Sequence, residues 1–149
     1  MMNLPINQLK LYGLDIFFNE IINLINTNKL PNQILLSGQE GTGKSTLAFH
    51  IINYMLSQKE EHPYMIETKS INSKNKSYNL IKNGSHPNFY SVDLVDDKKN
   101  IEISQIRSMI EYTTKSTFNY DKKVILINNV EYLNSNSLNS LLKVTEEPN

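Results

Sequence analysis

The chain has 149 residues, enough for one ordinary domain with a buried core. Fifteen basic residues balance fifteen acidic ones, which argues against a strong nonspecific grip on nucleic acid or acidic membranes but leaves room for a local patch. There is no cysteine, so disulfides, thiol nucleophiles and cysteine-ligated zinc are excluded, and the three scattered histidines, His50, His62 and His86, read as structural.

The opening MMNLPINQLK lacks the charged lead and apolar stretch of a secretory signal. No apolar run approaches the ~20 residues that a membrane helix needs. The expected location is the cytoplasm, with no membrane contact. Asparagine occurs 21 times, and 14 of the 15 basic residues are lysine, Arg107 being the exception. These residues have AT-rich codons, so each single Asn or Lys is weak evidence of function.

Leu14, Phe17, Phe18, Ile21, Ile22 and Ile25 recur at helical spacing and predict an amphipathic helix over 14–27, with Pro31 beyond its end. Residues 33–37, QILLS, read as a short buried strand of a parallel sheet. GQEGTGKS follows at once, and then Leu47, Ala48, Ile51, Ile52 and Met55 share one helical face. Residues 57–86 are polar and thinly hydrophobic. They predict a surface insertion of low order, with one short helix near Tyr78–Ile81. Residues 88–95 return to strand-like composition, and Ser104 stands as an N-cap before Ile106, Met109, Ile110 and Thr113. VILI within 122–128 predicts a second buried strand. Asn134 or Ser135 caps a last helix with Leu138, Leu141, Leu142 and Thr145 on its face and Pro148 at its end. Strands alternating with helices imply an α/β sandwich on a parallel sheet.

GQEGTGKS fits the phosphate-loop pattern G-x-x-x-x-G-K-[ST] at Gly38, Gly43, Lys44 and Ser45. Polyphosphate needs many donors converging on it. Glycines let successive backbone N–H groups turn inward, and the following helix adds its positive N-terminus. Lys44 supplies a point charge for the β- and γ-phosphates, Ser45 a hydroxyl for nucleotide-bound Mg²⁺, and Thr46 a hold on neighbouring oxygens. Glu40, Gly41 and Thr42 complete the expected nucleotide-binding set. A hydrolytic protein of this kind also carries acids at the end of a second apolar strand. Here Asn128 and Asn129 occupy those positions. An amide neither carries charge nor takes a proton at neutral pH, and losing a general base typically costs ~10²–10⁴ in rate. Glu131 is the nearest acid, and drift in a subunit that has no need of hydrolysis accounts for the asparagines.

Together, LYGLDIFFNEIINLINTNKLPNQILLSGQEGTGKSTLA, HPNFYSV and KVILINNVEYLNSNSLNSLLKVTEEPN resemble the clamp-loader branch of the AAA+ ATPases, which serves bacterial DNA polymerase III. The most specific stretch runs from Asn139 to Pro148, where the family reads N-A-L-L-K-x-L-E-E-P. The resemblance covers nearly the whole chain, with its gap at 57–86. It implies a P-loop NTPase, a three-layer sandwich, and a single N-terminal domain over 1–149, C-terminally incomplete. It also implies ATP and Mg²⁺ as cofactors, a hetero-oligomer of clamp-loader subunits, and access to the sliding clamp and primed DNA through that complex.

The family contains motor subunits, which carry an acid pair and a cysteine zinc module, and stators with impaired ATPase sites. Lacking both features, the chain resembles the stators, and a catalytically active AAA+ ATPase is the alternative. By the same resemblance Tyr12 and Gly13 match a segment that packs beside adenine, although Tyr12 also suits a core. Lys69, Lys74, Lys76 and Lys82 could form a basic patch, but a solvated polar loop explains them as well.

Overall fold

The computed structural model describes residues 4–115 and 122–146. The chain forms two compact units, the first ending at His86 and the second starting at Pro87.

The first unit is helical. Helix α1 spans Asp15–Asn26 and helix α2 spans Lys44–Ser57. Both follow the predicted periodicity. Phe18, Ile21 and Ile22 of α1 pack with Leu47, Ile51 and Tyr54 of α2, while Ile16 and Phe17 stay exposed. Residues 33–37 are not a strand. Among the described residues no ladder includes them, and Ile34 and Leu35 are 46% and 74% exposed. A strand exists only through a partner's backbone, and an apolar run names no partner. Leu36 alone of the three packs against the first core.

Residues 57–86 are more ordered than their composition predicts. Helix α3 spans Lys76–Lys82, longer than expected, and packs on α2. Tyr64, Ile71, Tyr78 and Ile81 are buried. Met65 and Ser70 close a tight turn, and residues 69–71 bond to the N-terminal segment through Leu11 N–H to Lys69 O (2.9 Å) and Ile71 N–H to Leu9 O (2.7 Å). A few apolar anchors suffice because polar groups are satisfied inside. Asn75 is fully buried; its Oδ1 accepts from Tyr78 N–H (2.7 Å) and Asn53 Nδ2 (2.9 Å), and its Nδ2 donates to His62 O (2.9 Å) and Asn53 Oδ1 (3.2 Å). This uses an amide's full capacity of two donors and two lone pairs.

The second unit holds a two-stranded parallel sheet, so the chain is a small α/β protein. Strand β1 (Phe89–Val92) is shorter than predicted, and strand β2 (Val124–Ile127) is the VILI run. They pair in register from Phe89 opposite Val124 to Val92 opposite Ile127. The residues of β2 are half-buried rather than buried. Helix α4 (Ile103–Thr114) packs on β1 and helix α5 (Ser135–Glu146) packs on α4. Val92, Ile101, Ile106 and Met109 form the core.

Ser104 is not the cap of α4. Glu102 is, in a reciprocal capping box with Gln105, whose Oε1 accepts from Glu102 N–H at 2.9 Å. The expected cap Asn134 does hold α5, accepting from Ser137 N–H at 2.8 Å. Of the predicted α5 face, Leu138 and Leu142 are exposed. The stop at Pro148 lies outside the described residues.

Candidate phosphate loop and strand-end site

The candidate phosphate loop, Gly38–Ser45, belongs to the first unit. Gly41 and Gly43 have φ of +79° and +91°, the left-handed region that only glycine enters freely. Gly43 is the N-cap residue of α2 and brings no side chain to cap the helix. Thr42 Oγ1 donates to Gln39 O at 2.8 Å. The Lys44 ammonium donates to Gly38 O and, at 3.3 Å, to Gln39 O. The lysine therefore folds back over its own loop. Gly38, Glu40, Gly41 and Thr42 are exposed, Ser45 is half-buried and Thr46 is buried.

A Cβ on Gly43 would stand 3.3 Å from Leu14 Cδ1, so the segment before α1 sits against the loop. Tyr12 in that segment is 70% exposed, with Lys10 Nζ 5.5 Å from its ring centroid. Tyr12 is thus no part of a core. This arrangement suits a polyphosphate: a helix that begins at a glycine, a turn of glycines, and a cation resting on loop carbonyls.

Behind the loop, α2 is anchored at mid-length. His50 is fully buried, its Nδ1 2.8 Å from Tyr64 Oη and its Nε2 2.8 Å from Gln8 O. A carbonyl only accepts, so Nε2 bears the proton and Nδ1 accepts from the tyrosine. Burial pulls the His50 pKa below 6.5, opposed in part by the Gln8 carbonyl, and burial pushes Tyr64 up.

Asn128 and Asn129 lie in the second unit, directly after β2. Asn128 N–H donates to Val92 O at 2.8 Å, extending the parallel ladder, and Asn129 adopts a left-handed φ of +56°. Both side chains turn to Asp93, the residue after β1. Asn129 Nδ2 donates to Asp93 Oδ1 at 2.7 Å, and Asn128 Nδ2 to Oδ2 at 3.2 Å. Asp93 was missed in the sequence. The available signal was the pairing of two parallel strand ends, each followed by a polar residue. Glu131 is exposed in a single 3₁₀ turn, Val130–Tyr132.

A cavity of about 210 Å³ between β1 and α4 is lined by Tyr90, Ser91, Val92, Ser104, Gln105 and Ser108, none of them expected in the site. The lysines at 69, 74, 76 and 82 all fall in the 57–86 segment; Lys69 pairs with Asp15 at 3.2 Å, and Lys82 lies 5.8 Å from the Tyr78 ring centroid. Among the described residues no cluster of three acidic, histidine or cysteine side chains could hold a metal, and no helix is long and apolar enough to cross a membrane.

Comparison with known proteins gives a consistent result. The family described as "DNA polymerase III, delta subunit" matches residues 14–149. The delta' subunit of DNA polymerase III from Pseudomonas aeruginosa is 29% identical over 114 residues, covering 76% of this chain and 33% of its own. The gamma/tau subunit from Mycoplasma genitalium is 28% identical over 150 residues, covering 96% of this chain and 22% of its own. The delta' subunit from Bacillus subtilis is 27% identical over 130 residues, covering 87% and 36%. The chain thus spans about a third or less of the length of these curated relatives. With nearly all of its length matched, the chain belongs to the DNA polymerase III delta-subunit family of clamp-loader proteins.

Proposed function

We propose that this chain is the nucleotide-binding part of a delta-prime-type clamp-loader subunit in DNA replication. It binds ATP through Gly38, Glu40, Gly41, Thr42, Gly43, Lys44, Ser45 and Thr46, hydrolyses it weakly or not at all, and acts mainly as a stator. Its partners are the other clamp-loader subunits, and through them the sliding clamp and primed DNA. The observation that carries nucleotide binding is Lys44, the first residue of α2, resting on Gly38 O and Gln39 O with glycine as the helix N-cap. Phosphate oxygens would draw the ammonium off those carbonyls and accept from the helix N–H groups. Mg²⁺ would arrive with the nucleotide and meet the Ser45 hydroxyl, its charge offsetting that of the phosphates.

Weak hydrolysis rests on Asn128 and Asn129, which cannot act as bases. A second reading, an active ATPase of the motor-subunit kind, is favoured by likeness to gamma-type subunits: besides the gamma/tau subunit above, the gamma subunit of Buchnera aphidicola (Schizaphis graminum) is 33% identical over 150 residues, covering 93% of this chain. ATP binding measured with steady-state turnover separates the two. Binding without turnover, lost in Lys44→Ala, supports the stator. Turnover abolished by Lys44→Ala selects the ATPase, and no binding at all overturns both.

A further inference from the structure

We infer that Asp93 holds the negative charge of the strand-end site, and that Asn128 and Asn129 are its matched donors rather than products of drift. The inference deepens the proposed weak hydrolysis and rests on the reading of 128 and 129 as the acid positions. Both Asp93 oxygens are engaged by neutral donors. Oδ1 accepts from Asn129 Nδ2 (2.7 Å) and Leu94 N–H (2.6 Å), and Oδ2 accepts from Asn128 Nδ2 (3.2 Å). No ion pair among the described residues includes Asp93. The sense of these bonds follows from chemistry, since a carboxylate only accepts and the amide must present nitrogen.

The site is also held from outside the side chains. Gln105 Nε2 donates to Asp93 O at 2.8 Å, and Ile101 N–H donates to Tyr132 O at 2.8 Å, tying the segment after β1 to the turn after β2. The backbone at Asp93 thus has a hold that does not involve residues 128 and 129. An acid at 128 would meet a second carboxylate at about hydrogen-bond distance, and two carboxylates at one site cannot both ionise freely. The carboxylate of this site stands at the end of β1, not at the end of β2. Asp93 is a positioning residue: it orients both amides and bars an ionised acid from their positions.

The test compares Asn128→Asp, Asp93→Asn and the double variant in the chain as it stands. The readouts are the urea midpoint at pH 8 and the NMR titration of the carboxyl group introduced by Asn128→Asp. We expect Asn128→Asp to lower the midpoint, the double variant to recover it, and the new carboxyl to titrate about one pH unit higher with Asp93 present than with Asp93→Asn. Additive midpoints, or a titration indifferent to residue 93, would overturn the inference. ATP binding is measured on the same variants. Its absence would sink the proposed function without touching this coupling, and so the two failures are distinguishable.

Discussion

Asn53 and Asn75 face each other as a reciprocal amide pair, Asn53 Nδ2 donating to Asn75 Oδ1 at 2.9 Å and Asn75 Nδ2 returning to Asn53 Oδ1 at 3.2 Å. The pair joins α2 to the cap of α3. Ser57 Oγ extends it, donating to Asn53 Oδ1 (3.2 Å) and accepting from Tyr64 N–H (3.0 Å). Buried polar groups contribute little while paired and cost much when one partner is lost.

Asn75→Ala is therefore expected to destabilise the chain by about 2–4 kcal/mol. The change removes an N-cap and leaves the Asn53 amide and His62 carbonyl short of partners. Urea denaturation measures the loss. A loss below about 1 kcal/mol would mean that water replaces the pair.

His50 makes stability depend on pH. Its folded pKa lies below 6.5 because burial disfavours the cation. Between the folded value and 6.5 the unfolded chain binds more protons, so stability rises with pH there. The contribution is full above about 6.5 and is lost as pH falls through 6.5 to the folded pKa. The urea midpoint is expected to be lower at pH 5 than at pH 7.5, and His50→Phe should flatten part of that slope. An unchanged slope would place the dependence elsewhere.

Gly43→Ala tests the loop's geometry. At φ +91° any side chain is strained, and a Cβ would press on Leu14 Cδ1 at 3.3 Å. A stability cost of about 1–2 kcal/mol is expected, with ATP binding weakened at least about tenfold. Parent-like binding would show that the loop's conformation is not what receives phosphate.

Lys44→Ala should spare the fold and remove the ligand. Among the described residues the ammonium bonds to loop carbonyls, so stability in urea should change by no more than about 0.5 kcal/mol. ATP affinity should fall on the order of 10-fold to 100-fold, the worth of a charge-assisted bond. Calorimetric titration with Mg²⁺-ATP reads both the parent and the variant.

Helices α1, α2, α4 and α5 were legible because their apolar residues recur within one turn, and a local period needs no distant partner. The glycine turn leading into α2 is just as local, since eight consecutive residues, Gly38–Ser45, carry it. What the sequence by itself determined is thus local, the helices, the VILI strand and the Gly38–Ser45 loop. Tertiary structure decided the rest. QILLS reads as a strand but joins no ladder among the described residues, because a ladder is a property of two segments. The 57–86 segment reads as loose, yet Asn75, Ser57 and Ser77 bury inside it, because polar side chains enter a core once their partners come from elsewhere in the chain. Asp93 meets Asn128 and Asn129 only because β1 and β2 pair in register across more than 30 residues of sequence, which no local pattern encodes.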